Sequence, residues 1–174
     1  GSFSYGPIMA DIFSWVYNLS GDNPLVFILI WKIFMLLVLA GCGVLTIKLA
    51  GLFSPAVSGV PLLRDNHKVT GAWFMLWFAQ PIFLFEWVVN GHFDGLWLIF
   101  LLLAIYAAHT KRWWLVMPAL IVGVWIKFIP VLIIPFFVLW WWQELNVANW
   151  KKSLAQMGFG LAVSVLITFL SWWP

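Results

Sequence analysis

The chain of 174 residues is 64% hydrophobic and 9% charged, whereas soluble domains average about 45–50% apolar and about 25% charged residues. This composition excludes an ordinary soluble domain and predicts an all-α integral membrane protein, because helices satisfy their own backbone hydrogen bonds in lipid. The net charge of +3 is too small to indicate a nucleic-acid-binding protein. The single cysteine, Cys42, lies in an apolar segment and is interpreted as a small packing residue.

The chain divides by hydropathy into an N-terminal segment and a series of apolar spans. Residues 1–24 are predicted to form an amphipathic segment on one membrane interface. Residues 25–174 are predicted to form a helical transmembrane domain, since a transmembrane helix needs about 20 mainly apolar residues. Pro118, Pro130 and Pro135 are expected to kink or break the shorter spans. The six predicted spans are residues 25–48, 70–89, 95–109, 113–127, 129–143 and 153–173.

Basic residues and tryptophans indicate how these spans are oriented. The loops that follow the first, third and fifth spans are basic, so the positive-inside rule places them in the cytoplasm and both termini on the outer side. We therefore expect an integral membrane protein whose basic loops face the cytoplasm. The 15 Trp residues cluster near span ends, as in an interfacial belt, although some are also suited to stacking on a ligand ring. The basic residues of these loops and their edges are Lys48, Arg64, Lys68, Lys111, Arg112, Lys151 and Lys152.

A polar turn over residues 90–95 (Asn-Gly-His-Phe-Asp-Gly) separates two apolar segments on the predicted outer side. Ionisable groups near the membrane interior usually face a cavity and carry function. Glu86 lies four residues before Asn90, a spacing that puts both side chains on one face of an α-helix. His92 is the general acid–base candidate by side-chain type, and Asp94 is a second catalytic candidate.

The same turn also has structural interpretations. Asp94 is suited to capping the next helix, and His92 to a hydrogen-bonded interfacial histidine. Gly91 and Gly95 are expected to allow a tight backbone path. Asp94 is the candidate ligand for a divalent metal ion, although no metal-ligand spacing repeats around it, and no other cofactor is indicated.

Lys127 is a second notable charge, because it lies between two short spans and close to Pro130. An ammonium group at the outer interface can bind a lipid-linked phosphate or can extend to the lipid head groups. A bound lipid is therefore an expected ligand. Asp11 and Asp22 also fall on the predicted outer side.

Three short motifs, in this order, resemble those of a known superfamily. Residues 5–7 (Tyr-Gly-Pro) precede a span, residues 90–95 open a short apolar helix, and residues 126–130 (Ile-Lys-Phe-Ile-Pro) run into residues 132–136 (Leu-Ile-Ile-Pro-Phe). Over residues 5–140 the chain resembles the multi-spanning glycosyltransferases of the GT-C superfamily. The nearest part is the bacterial mannosyltransferase-like branch that uses polyprenyl-phosphate sugars, and this resemblance implies a protein of the bacterial cytoplasmic membrane.

The resemblance implies an outward-facing active site, a lipid-phosphate sugar donor and no nucleotide at the site. Lys127 would hold the donor phosphate, Asn90, His92 and Asp94 would border the sugar cavity, and Glu86 is a further binding candidate. The superfamily's first span and its acidic catalytic loop would precede residue 1. The isolated chain is therefore expected not to catalyse sugar transfer alone.

Two other functions are compatible with the sequence. The first is a non-catalytic accessory subunit of a larger respiratory or photosynthetic membrane complex, since 20% aromatic residues suit contacts with lipid, quinone or pigment. The second is a transporter fragment, which short, proline-broken spans suit but the lack of an internal repeat disfavours. The expected partners are therefore membrane lipids, a polyprenyl-phosphate sugar or other membrane subunits.

Overall fold

The computed structural model describes residues 5–53, 80–90, 95–145 and 150–173. Within these ranges the chain is almost entirely helical, which confirms the predicted all-α class. Among the described residues, Tyr5 and Lys127 have extended backbones and pair in an isolated β-bridge. The helices are α1 (Pro7–Ser20), α2 (Pro24–Phe53), α3 (Pro81–Phe83), a π-helix (Leu84–Val89), α4 (Leu96–His109), α5 (Trp113–Ile126), a 3-10 helix (Ile129–Ile133), α6 (Ile134–Glu144) and α7 (Trp150–Trp172).

Two of these helices are long and apolar enough to cross a membrane, namely α2 over Pro24–Leu52 and α7 over Trp150–Trp172. Only 28% of the most apolar window of α2 and 17% of that of α7 is buried, as expected for helices that lipid surrounds. The apolar helices α4, α5 and Ile129–Glu144 are shorter. The arrangement as six spans stays a prediction, and residues 70–79 of the second predicted span lie outside the described residues.

Several predicted boundaries change. The N-terminal interfacial segment contains a regular helix, α1, and α2 continues past residue 48 to Phe53 because no helix-breaking residue follows Lys48 directly. The fifth span is divided into a 3-10 helix and α6, since Pro130 and Pro135 each lie at the start of an element, where a missing N–H is tolerated. Of the predicted kink or break at Pro118, the break is wrong, because α5 runs through Pro118 without interruption.

The chain forms two compact units, residues 1–15 with 103–174 and residues 16–102. In the first unit α5 and α7 lie side by side and run in the same direction. The Trp113 backbone N–H donates to the Gln156 side-chain oxygen at 3.1 Å, and the Trp125 indole N–H donates to the Thr168 hydroxyl at 3.0 Å. This parallel direction agrees with the predicted alternation, in which spans 113–127 and 153–173 cross the membrane in the same sense.

The face of α7 that meets α5 has small or polar side chains at every fourth position, which is the spacing of one helix face. Gly160 and Ser164 are buried, and the Ser164 hydroxyl donates to the Gly160 carbonyl at 2.8 Å. Small residues at this spacing let helices approach closely in membranes, where burial of apolar surface does not drive association. The stripe consists of Gln156, Gly160, Ser164 and Thr168.

Aromatic pairs lie at both ends of α5. Trp113 contacts Trp140 edge-to-face at 6.2 Å between ring centroids, and Trp125 contacts Trp172 in the same way at 5.8 Å. The Trp141 indole N–H donates to Ser153 at 2.8 Å. The Trp residues at the two ends of α5 therefore form separate clusters in this unit, as the predicted clustering near span ends implies.

The connection between α4 and α5 is basic and is tied to the end of α6. Lys111 has a left-handed backbone (φ 58°) and forms an ion pair with Glu144. The hydrogen bond from the Lys111 ammonium group holds the pKa of Glu144 below its usual value. The depressed pKa means that the pair stabilises the fold above the unfolded carboxyl's pKa, and this contribution is lost as the pH falls through the folded value. Both side chains are well exposed, so the contribution is small.

Candidate functional site

The segment that leads into the polar turn, Leu84–Val89, is a π-helix rather than the α-helix that the spacing of Glu86 and Asn90 predicts. The Asn90 N–H donates to the Phe85 carbonyl, five residues earlier, at 2.8 Å. The α-helical repeat assumed for Glu86 and Asn90 is therefore wrong here, because each π turn contains more residues than an α turn. Single π turns occur frequently at functional sites. Residues 91–94, which include the candidates His92 and Asp94, lie outside the described residues.

Gly95, the last residue of the polar turn, lies directly against the ring of Trp87. A Cβ at Gly95 would approach the Trp87 ring atom Cε2 to 2.2 Å. Trp87 is buried and also contacts Phe83, with ring centroids 5.0 Å apart. Glycine is thus required at residue 95 because the Trp87 ring approaches its backbone closely. A left-handed backbone is not the reason, since among the described glycines that conformation occurs at Gly21. The sequence gives no signal for this contact between Gly95 and Trp87.

Lys127 marks a complete break in the helix, as the sequence predicts. Its backbone is extended (φ −147°, ψ 133°) and ends α5, and the 3-10 helix begins at Ile129. Pro130 is the cause of the break, because it has no N–H to donate to the carbonyl four residues earlier, that of Ile126. The Ile126 carbonyl instead accepts a hydrogen bond from the Gly6 N–H at 3.3 Å.

This hydrogen bond belongs to an antiparallel bridge that joins the N-terminal motif to the Lys127 motif. Tyr5 pairs with Lys127 across the bridge, and Gly6 is buried. A Cβ at Gly6 would lie 2.1 Å from the Trp125 carbonyl oxygen, so only glycine fits there. The structure therefore brings together two of the three motifs that carry the resemblance. Sequence reasoning missed Tyr5 and Gly6 as site residues, although the Gly-Pro pair before α1 was the available signal.

Aromatic rings surround the backbone next to Lys127. The ring of Trp125 contacts Phe128 and Trp172 edge-to-face, at 6.0 and 5.8 Å between centroids. Phe128 and Ile129 are about half exposed. Lys127 itself is partly buried.

A cavity lies in the unit of residues 16–102, between the end of α1 and the start of α2. The cavity measures about 540 Å³, and its wall includes Tyr17, Asp22, Asn23 and Phe27. The Tyr17 hydroxyl donates to Asp22 at 3.3 Å, and the Asn23 side-chain oxygen caps α2 by accepting from the Leu25 N–H at 3.0 Å. Ligand pockets typically combine an apolar wall with a few polar groups in this way.

The family comparison covers most of the chain. A family described as Alpha-(1->6)-mannopyranosyltransferase, N-terminal domain, matches residues 2–143, which include both sides of the Tyr5–Lys127 bridge. The chain belongs to the alpha-(1->6)-mannopyranosyltransferase family. No curated protein and no solved structure matches the sequence. The mannosyltransferase-like part of the resemblance is confirmed, and with its apolar helices the chain is a glycosyltransferase-like membrane protein.

Membership of this family does not by itself assign the individual site residues. Lys127 belongs to the unit of residues 1–15 and 103–174, whereas Glu86 and Asn90 belong to the other unit. Within the described part of the chain, no three His, Cys, Asp or Glu side chains lie together as a metal site. The candidate metal ligand Asp94 lies outside that part, so a divalent metal stays a prediction.

Gly95→Ala is predicted to destabilise the unit that contains Trp87. The added methyl group would overlap the buried indole ring, and overpacking of this kind costs about 1–3 kcal/mol. Thermal unfolding of the purified protein in detergent, followed by tryptophan fluorescence, measures the effect. Gly51→Ala is the matched control, because a Cβ there meets nothing within 4 Å. An equal melting temperature for the two variants would contradict the contact.

Proposed function

We propose that this chain is the membrane-embedded part of a GT-C-type enzyme that transfers mannose from a polyprenyl-phosphate carrier. The match of residues 2–143 to the alpha-(1->6)-mannopyranosyltransferase family is the observation that carries the proposal. The exposed apolar helices add support, because a donor whose carrier stays in lipid reaches such a protein directly. The proposal includes the orientation predicted from the basic loops, with Lys127 at the outer face of the bacterial cytoplasmic membrane.

In this proposal Lys127 binds the donor phosphate and stabilises it as the leaving group. The acceptor hydroxyl oxygen attacks the anomeric carbon of mannose while the bond from that carbon to the phosphate oxygen breaks. Negative charge then develops on the phosphate, where a fixed ammonium group stabilises it more than it stabilises the intact donor. The extended backbone at Lys127 ends α5 and so presents this residue at the helix terminus.

The family resemblance, and not a distance in the structure, assigns the remaining roles to the polar turn. The general base would come from the acidic loop that the resemblance places before residue 1, and Asp94 and His92 are the candidates for that role within this chain. Asn90 and Glu86 would hydrogen-bond to sugar hydroxyls at the rim of the proposed sugar site. The π-helix that contains Glu86 supports this assignment, since such irregular turns are often retained at sites of function.

Mannosyl transfer by Lys127 variants tests the proposal. Membranes that contain the complete protein are supplied with labelled polyprenyl-phosphate mannose and an oligomannoside acceptor. Lys127→Ala should lower the transfer rate by about 10²–10³-fold, the usual effect of removing one group that stabilises developing charge. Lys127→Arg should retain much of the activity because it keeps the charge.

Lys32→Ala is the control, since Lys32 lies within α2 and its substitution also removes one positive charge. Wild-type rates for Lys127→Ala, or equal transfer from a nucleotide sugar, would contradict the proposed donor site. A complete protein that is inactive with every lipid-phosphate donor but co-purifies with other subunits at fixed stoichiometry would favour the accessory-subunit hypothesis instead.

A further inference from the structure

The parallel arrangement of α5 and α7 brings the N-terminal ends of both helices to the same end of the pair. The Trp113 N–H, at the start of α5, donates to Gln156, which lies within the second turn of α7. Arg112 directly precedes α5, and Lys151 and Lys152 lie in the first turn of α7. At a rise of about 1.5 Å per residue, Lys152 is only about 6 Å along the axis from Gln156. We call Arg112, Lys151 and Lys152 the cationic end.

The charge at this end is only partly neutralised by the protein. Glu144, the acidic residue nearby in the described part of the unit, forms an ion pair with Lys111 in the adjacent connection. The Lys151 ammonium group lies 5.7 Å from the centroid of the Trp150 ring. Arg112 and Lys152 have exposed side chains. Two helix N-termini add partial positive charge from their backbone dipoles.

Exposed tryptophans flank the cationic end. Trp114, in the first turn of α5, is 41% exposed, and Trp150, the first residue of α7, is 47% exposed. Trp142, near the end of α6, is 68% exposed. Indole rings prefer the level of the lipid head groups, where the ring contacts apolar chains and the N–H remains in water. Basic side chains at that level meet lipid phosphates.

We propose that the cationic end binds the head groups of anionic phospholipids, and that Arg112 on α5 and Lys152 on α7 contact one head group jointly. The partner is a lipid rather than a soluble protein because the exposed tryptophans flank the cations and the exposed apolar side chains of α7, such as Leu154 and Phe159, continue from them. This surface lies at the opposite end of α5 from Lys127, so its occupancy does not depend on sugar transfer.

Lipid titration of the purified chain tests the inference. The chain in detergent is titrated with short-chain phosphatidylglycerol and, separately, with phosphatidylcholine of the same chain length, and retained lipid is counted by native mass spectrometry. Wild-type protein should prefer phosphatidylglycerol. Because one basic residue near an anionic surface changes binding about fivefold, Arg112→Gln/Lys152→Gln should weaken phosphatidylglycerol binding by at least fivefold.

Lys32→Gln is the control, since it removes a positive charge from within α2 and should change phosphatidylglycerol binding less than twofold. Equal weakening by Lys32→Gln and by the double variant would overturn the inference, and so would equal affinity of the wild-type chain for both lipids. Inorganic phosphate at the lipid's concentration should not displace phosphatidylglycerol. Complete displacement would show a site for soluble phosphate and would also overturn the inference.

Discussion

Gly6→Ala is expected to reduce mannosyl transfer by about 100-fold, the usual consequence when a reacting group moves by about 1 Å. The added methyl group would lie 2.1 Å from the Trp125 carbonyl oxygen. That oxygen belongs to the backbone of α5, so a side-chain rotation cannot relieve the overlap. Either the extended segment at Tyr5 and Gly6 separates from Lys127 or the end of α5 shifts. Both changes displace the proposed phosphate-binding residue.

The same substitution should also lower stability, by about 1–3 kcal/mol, as overpacking usually does. Separation of the extended segment would remove the hydrogen bond from Gly6 to the Ile126 carbonyl. Pro130 has no N–H to replace that donor. The Ile126 carbonyl would therefore have neither a helical donor nor the donor from Gly6. Chemical unfolding in detergent measures the stability, and the labelled-donor assay measures the activity.

Two outcomes separate positioning from folding for Gly6→Ala. At a temperature where the variant is fully folded, loss of transfer with unchanged unfolding cooperativity supports displacement of Lys127. Gly51→Ala is the control, because that glycine faces open space on α2 and the variant should transfer mannose normally. A Gly6→Ala protein with wild-type transfer and stability would show that the Tyr5–Lys127 bridge does not hold the site.

The sequence predicts those features of this protein that are local. The all-α class follows from composition, and the break at Lys127 follows from Pro130. The contact between Gly6 and Trp125 was not predictable, because it joins segments that are distant along the chain. The π-helix before Asn90 was missed because its wider turn contains an apolar sequence that suits an α-helix equally well.

The opposite outcomes at Pro118 and Pro130 have a common physical origin. Each proline leaves one carbonyl without its normal helical donor, at Trp114 and at Ile126 respectively. The Ile126 carbonyl receives the Gly6 N–H, and the chain becomes extended beside it. The Trp114 carbonyl instead faces Gly160 of α7, and α5 continues as a helix. The sequence shows where a carbonyl loses its donor, but not which neighbouring segment meets that carbonyl.

Gly160→Leu is therefore expected to separate α5 from α7 and to be the most destabilising change in this unit. A Cβ at Gly160 would lie 2.8 Å from the Trp114 carbonyl oxygen and 3.2 Å from its carbon, and these backbone atoms cannot rotate away. Alanine alone should cost about 1–3 kcal/mol, and leucine more, because its branched end has no space between the helices. Loss of the close approach would also break the hydrogen bonds from Trp113 to Gln156 and from Trp125 to Thr168.

Gly158→Ala provides a control with the opposite expected sign. Gly158 lies in the same helix, two residues earlier, and a Cβ there meets nothing within 4 Å. Replacing a helical glycine by alanine at an open position stabilises by about 0.5–1 kcal/mol, because the unfolded chain loses conformational freedom. Unfolding in detergent should therefore occur at lower denaturant for Gly160→Ala and at higher denaturant for Gly158→Ala. Shifts in the same direction would mean that helix propensity, and not contact with the proline-freed carbonyl, determines the role of Gly160.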